Sequence, residues 1–260
     1  MNKKTIVTSR KAQVTMWIII AIALVGAIVL FFSVQRGGIS GISGKEISPK
    51  PYIEDCTRQA AGKALDLMIL QGGFIEPKNY KIYNDTKVTY LCENIGYYYP
   101  CVQQHPMFLT EMQEELKTNI TSTISACFDS LKTNLEGRGS RVELSPEMNV
   151  SVEFAPDEVL VNLDRKIVVT KNEETTKVEN VKVVLRSPIY NLGRVAMDIA
   201  GSEAKFCYFE YVGYGVLYPR FTIKPFAMSD STRIYTIIDT KTNKEMNIAI
   251  RGCAIPPGGM

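Results

Sequence analysis

One stretch of the chain has no polar face at all. From Val14 to Val34 it reads VTMWIIIAIALVGAIVLFFSV, with no charged residue between Lys11 and Arg36. These residues would make a helix about 31 Å long, close to the thickness of a bilayer's hydrocarbon core. A buried helix of a water-soluble fold rarely stays apolar all round for five turns, so the pattern predicts a transmembrane helix over 14–35. Trp17, the only tryptophan, sits near one end, where an indole favours the membrane interface.

Beyond this run the pattern changes five times. Residues 37–44 read GGISGISG, a Gly-rich tether within 36–50. Apolar positions then recur every three or four residues: Ile53, Cys56, Ala60, Ala64 and Leu67 predict a helix over 52–71, stopped by Gly72-Gly73. Met112, Leu116, Ile120, Ile124, Cys127 and Leu131 predict a second over 111–133, with Thr110 and Gln113 as a capping box. From about 142 the period becomes two. Met148, Val150, Val152 and Phe154 alternate with polar residues, Val159, Val161 and Leu163 continue the alternation, and 167–169 and 181–185 read as further strands. Residues 188–203 return to helical spacing. Ile234–Ile238 and Met246–Ile250 flank the turn Lys241-Thr242-Asn243-Lys244 as a hairpin, and Pro256-Pro257-Gly258-Gly259 ends the chain as a tail. The expected fold class is therefore α+β: one N-terminal transmembrane helix, then a disulfide-linked ectodomain with two helices followed by an antiparallel β-rich part. The boundaries are a basic leader 1–13, the span 14–35, the tether 36–50, a helical part 51–140 and a β-rich part 141–260.

Charge fixes the orientation. Of 30 basic residues five lie in 1–44 (Lys3, Lys4, Arg10, Lys11 and Arg36) with no acid among them, leaving 25 basic against 27 acidic residues in the remainder. Four positive charges precede the span and one follows it, which places the N-terminus in the cytoplasm and the rest outside. A cleaved signal peptide is the rival reading, but its apolar region would be shorter, and Ser33-Val34-Gln35 makes a poor cleavage site. The bulk of the protein is faintly acidic, so it offers no electrostatic footprint for nucleic acid.

The residues directly before the span, Arg10-Lys11-Ala12-Gln13-Val14-Thr15, resemble the leader of archaeal type IV prepilins and related class III signal sequences. The resemblance covers residues 10–34. It implies a cut between Ala12 and Gln13 by a prepilin-type peptidase on the cytoplasmic side, with the helix retained. Many of these pilins carry Glu at the fifth mature position, which here is Trp17. A plain uncut signal anchor with a basic flank is the other reading.

All six cysteines follow the apolar run, and none forms a Cys-x-x-Cys pair. An even number on the outer side reads as disulfides rather than metal ligands. Cys56 and Cys127 fall on the apolar faces of the two helices and could join them. Cys92–Cys101 across a Tyr-Pro turn and Cys207–Cys253 complete a local set. Three sequons suit the same compartment and make Asn84, Asn119 and Asn149 glycosylation candidates.

Catalytic signals are weak. The single histidine, His105, has no nucleophile signature beside it and reads as structural or solvated. Glu114-Glu115 and Glu173-Glu174 read as solvated faces. Tyr211-Val212-Gly213-Tyr214-Gly215 has the look of a potassium-channel filter, but that filter needs a re-entrant loop between two membrane helices. The tyrosines are more informative. Tyr97, Tyr98 and Tyr99, and then Tyr208, Tyr211 and Tyr214, are either packed beside a disulfide or a binding surface. The sequence thus points to no enzyme, no cofactor and no metal. It points to a surface structural or adhesive component, pilin-like, with the lipid bilayer and protein partners or self-assembly as its contacts. The alternative is a membrane-anchored binding module, or an accessory subunit of an envelope complex, that does not form filaments.

Overall fold

Two long helices pack face to face, and the strands are arranged around them. The computed structural model describes residues 24–25, 48–94, 96 and 99–252. The chain divides into two units, Met1–Glu46 and Ile47–Met260. In the first, the described residues Leu24 and Val25 are helical and exposed. The rest of the span predicted over 14–35, the leader residues Ala12 and Gln13 and the glycine tether lie outside the described residues. So do Tyr97, Tyr98, Cys253 and the Pro-Gly tail. Among the described residues no helix is long and apolar enough to cross a membrane.

The second unit is α+β. Helix α1 (Pro49–Leu70) begins with proline in its first turn, where the missing N–H costs nothing. Its buried stripe is Ile53, Thr57, Ala61, Ala64, Leu65, Met68 and Ile69. This is rotated from the expected stripe: Cys56 and Ala60 are half-buried and Leu67 is exposed. The expected stripe omitted Thr57, the one polar residue of the buried face. Gly72 and Gly73 end the helix with φ of +75° and +107°, and the Gly73 N–H donates to the Met68 carbonyl at 2.7 Å. A Cβ on Gly73 would lie 2.4 Å from the Phe108 ring, so only glycine lets α1 turn so close to the next helix.

Helix α2 (Phe108–Glu136) buries Met112, Leu116, Ile120, Ile124, Cys127 and Leu131, the expected stripe. It starts earlier than the sequence suggests, because Phe108 itself is buried under Gly73, Phe74 and Gly193. The capping box does not form: Thr110 is already helical, and Gln113 Oε1 accepts the Phe154 N–H at 2.7 Å, tying α2 to a strand. Cys56 and Cys127 form a disulfide between α1 and α2.

Two short sheets contact these helices. Strands β5 (Asn149–Ala155), β6 (Glu158–Asp164) and β9 (Val181–Arg186) form one antiparallel sheet, and β4 (Arg141–Leu144), β7 (Ile167–Lys171) and β8 (Glu174–Val178) form the other. The alternation in β5, β6 and β9 faces Val150, Phe154, Val159, Val161, Leu163, Val181, Val183 and Leu185 into the core. Helix α3 (Ile189–Phe206) packs on α2 through Gly193, where a Cβ would meet Leu109 at 2.7 Å.

A larger sheet has the order β1 (Tyr80–Tyr83), β2 (Thr86–Glu93), β12 (Lys244–Arg251), β11 (Thr232–Asp239) and β10 (Phe221–Ala227), with β3 (Val102–Gln103) beside β2. The β11–β12 hairpin is where the sequence put it. Only the β2–β12 pair is parallel. One face carries Leu91, Tyr235, Ile237, Met246, Ile248 and Ile250 into the main core. The other carries Val88, Tyr90, Ile234 and Ala249 into a small second core, flanked by Tyr83 and Met228. The outer strands approach each other over this second core: Lys81 Nζ meets Asp230 at 2.5 Å, and the Tyr83 and Phe226 rings are 5.6 Å apart. The main core runs from Ile53 to Ile250, so the helical and β-rich parts share one interior.

Candidate interaction surface

The chain after α3 carries an aromatic run, Phe206-Cys207-Tyr208-Phe209, which leads into a seven-residue helix, α4 (Tyr211–Leu217). Cys207 leaves α3 in a left-handed conformation (φ +54°) and is disulfide-bonded. Glu210 starts α4: its Oε1 accepts the N–H groups of Val212 and Gly213 at 3.2 Å, and its Oε2 accepts the Tyr208 hydroxyl at 2.7 Å. The Tyr208 hydroxyl and the Gly213 N–H hold the Glu210 carboxyl below its ordinary value. The YVGYG segment is therefore helical, not an extended carbonyl ladder.

The inner side of α4 is aromatic. The Tyr214 ring lies 4.7 Å from Tyr218 and 5.2 Å from Phe209, which meets Tyr235 edge-on at 6.1 Å. The Tyr214 hydroxyl donates to Asp198 at 2.8 Å on α3. Burial, then the Asp198 carboxylate, push that hydroxyl's pKa up. The outer side is open to solvent. Val212, Val216 and Leu217 are 62%, 78% and 75% exposed, and Phe206, Tyr208 and Tyr218 are also exposed. No residue of α4 is buried. Apolar side chains this exposed in one short segment make this the candidate contact surface among the described residues.

The tyrosines thus divide. Tyr208 faces solvent, whereas Tyr211 and Tyr214 pack partly against the main core. Tyr99 is exposed. The aliphatic contribution of Val212, Val216 and Leu217 escaped the sequence reading, because VGYGVL shows neither strand nor long-helix periodicity.

The sequon asparagines are all exposed. Asn84 lies in the β1–β2 turn, Asn119 midway along α2 and Asn149 at the start of β5. Asn149 lines a cleft of about 260 Å³ with Asn162, Leu163, Asn180, Val181 and Lys182.

Cys92 and Cys101 are bonded to each other, and Cys253, the expected partner of Cys207, lies outside the described residues. His105 is half-buried, with Nδ1 2.6 Å from Glu111 and its ring 4.6 Å from Phe74, at the start of α2. Glu114 pairs with Lys117 on the surface, and Glu173 and Glu174 are exposed. Glu115 differs from its expected solvated role: its Oε1 accepts the N–H groups of Ile75 and Glu76 at 3.1 and 2.9 Å, fastening the loop after α1 to α2.

Two ionic clusters carry no sequence signature. Glu203 is fully buried between Tyr235, whose hydroxyl donates to it, and Arg233 at 2.5 Å. Burial raises its pKa, against the opposing pull of both partners. Arg220 joins Asp157, in the β5–β6 turn, to Asp239, at the end of β11. Both clusters fasten elements together, although in the first Glu203 takes both partners on Oε1 and its Oε2 is buried without a hydrogen-bond partner. Among the described residues no group of three or more His, Cys, Asp or Glu side chains is placed to hold a metal ion. Comparison with protein-family models, with curated proteins and with solved structures finds no match.

Proposed function

We propose that this protein is a single-pass membrane-anchored surface component, with its N-terminus in the cytoplasm and residues from 36 onward outside the cell, working as a structural or adhesive element. The observation that carries the reading is the exposed apolar side of α4, on a body whose two long helices are tied by Cys56–Cys127. A surface of this kind gains by being covered, and disulfides belong to an oxidising exterior. The apolar run over 14–34 and its basic flank support the anchor and its orientation. Processing between Ala12 and Gln13 by a prepilin-type peptidase, and a pilin-like role, belong to the same proposal through the leader resemblance. Mass spectrometry of the mature N-terminus tests it: a chain beginning at Gln13 supports the pilin-like form, and a chain beginning at Met1 removes it.

A second reading is an anchored binding module, or an accessory envelope subunit, that never polymerises. It is favoured by Trp17 at the fifth mature position and by four glycines in eight residues between span and body, which suit a leash better than a continuous rod. Electron microscopy of surface preparations separates the two. Filaments that contain the chain support the first reading, and filaments without it leave the second.

A further inference from the structure

Exposure does not distinguish the three sequons, because Asn84, Asn119 and Asn149 all face solvent. Backbone conformation does. Transfer of a glycan requires the asparagine amide and the hydroxyl two residues later to be presented together, in a segment that can enter an enzyme's cleft.

Asn119 fails this requirement. It lies midway along α2, where residues two apart point about 200° away from each other around the axis. Ile120, between them, is buried in the main core, and the Thr121 hydroxyl is bonded to the Lys117 carbonyl at 2.6 Å. Presenting this sequon means unwinding α2 at its centre, between core contacts at Leu116 and Ile124.

Asn149 is held extended. It and Ser151 sit in β5, paired in register with Asp164 and Asn162 of β6. The Asn162 side-chain amide also lies 3.3 Å from the Ser151 hydroxyl. Presenting this sequon means stripping residues from the ladder.

Asn84 needs the least rearrangement, because, of its three residues, only Thr86 is paired in a ladder, at the ladder's end. Tyr83 and Thr86 close the β1–β2 hairpin, leaving Asn84 and Asp85 as a two-residue turn with φ of +47° and +59°. That is a type I′ turn, which asparagine tolerates better than most residues. The Thr86 hydroxyl folds back to the Asn84 carbonyl at 3.3 Å. The turn projects from the end of β1, an outer strand of the large sheet that exposes Tyr80 and Ile82.

We infer that Asn84 is the N-glycosylation acceptor of the folded protein, and that the fold closes Asn119 and Asn149 to the same reaction. The donor is a sugar chain carried on a lipid phosphate. The Asn84 amide nitrogen forms a bond to the anomeric carbon as that carbon's bond to the phosphate oxygen breaks. One amide proton passes to a base of the transferase, and the lipid phosphate leaves. A glycan at this turn stands beside the outer strand β1, where it hinders pairing with a strand of another molecule.

This inference rests on the extracellular placement of the body, and the test separates the two. The full chain is purified in detergent with its disulfides intact and treated with a single-subunit oligosaccharyltransferase and lipid-linked oligosaccharide. Site occupancy is read by peptide mass spectrometry. A reduced and denatured sample is treated in parallel to establish that the enzyme accepts all three sequences. Occupancy of the folded chain is expected at Asn84, at least about tenfold above Asn119 and Asn149, because their local opening costs more free energy than releasing Thr86 from the end of its ladder. The Asn84→Gln variant is expected to abolish it. Equal occupancy at Asn119 or Asn149 in the folded chain, or none at Asn84 while the denatured chain is modified, overturns the inference without touching the placement. Protection of the body from protease added to intact cells overturns both.

Discussion

Arg220 grips Asp239 with two bonds, Nε to Oδ1 at 3.0 Å and Nη2 to Oδ2 at 2.7 Å, and the same guanidinium reaches Asp157. Asp239 has no exposed side-chain surface, so its charge depends on this fork, the Lys241 N–H and the Thr242 hydroxyl. Asp157 also takes Lys241 Nζ at 2.7 Å and the Asn191 amide at 2.8 Å. The turn of a small sheet is thereby fixed to the large sheet and to α3. Arg220→Met leaves a buried carboxylate without its cation and is expected to cost about 2–4 kcal/mol in chemical denaturation. A loss below about 0.5 kcal/mol would mean that the fork is a surface pair.

The same pair sets a pH dependence. The hydrogen bonds from Arg220, then from Lys241, hold the Asp157 carboxyl down at about 2. Its unfolded value is about 3.9, so its stabilising contribution is complete above that and is lost as pH falls towards 2. Asp239 shifts in the same direction: burial raises its pKa, but the Arg220 hydrogen bond and the Lys241 N–H prevail. Melting temperature measured from pH 5 to pH 2 is expected to fall more steeply in the native chain than in Arg220→Met. Parallel curves would contradict the assignment.

Helix pairing rests on a covalent tie. Cys56 and Cys127 are 71 residues apart, and closing a loop of that length is worth about 4 kcal/mol in the chain-entropy description. The double variant Cys56→Ser/Cys127→Ser is expected to lose roughly that amount in oxidised denaturation experiments. Non-reducing peptide mapping that joined Cys56 to another cysteine would contradict the pairing.

The large elements were legible because their apolar periods are long and uninterrupted. The stripe of α2 was read correctly over six positions, and the β11–β12 hairpin over both strands. The start of α2 was not, because the burial of Phe108 against Gly73 is a long-range contact that overrides a local capping signal. Strand β2 buries successive residues on both faces, so it lacks the alternation that marks a half-buried strand. The aromatic residues of the candidate surface were visible in the sequence, but its sidedness was not. Tyr208 and Tyr214 look alike in one dimension, and only the packing of α4 sends one to solvent and the other against Phe209.

That sidedness can be measured. Val216 and Leu217 make no buried contact, so Val216→Lys with Leu217→Lys is expected to leave the melting temperature within about 2 °C of the native value, as surface changes do. The same variant is expected to lose self-association or partner capture, read by sedimentation or cross-linking. Tyr214→Phe should do the reverse. It breaks the bond to Asp198 and is expected to cost about 1 kcal/mol of stability with association retained.

The placement of the body outside a single membrane span is the claim on which the functional reading turns. Protease added to intact cells tests it most directly, with the fragments identified by mass spectrometry. The expected result is digestion of residues beyond the tether while peptides from 1–13 survive until the cells are lysed. Survival of the body in intact cells, with digestion only after lysis, would contradict the account.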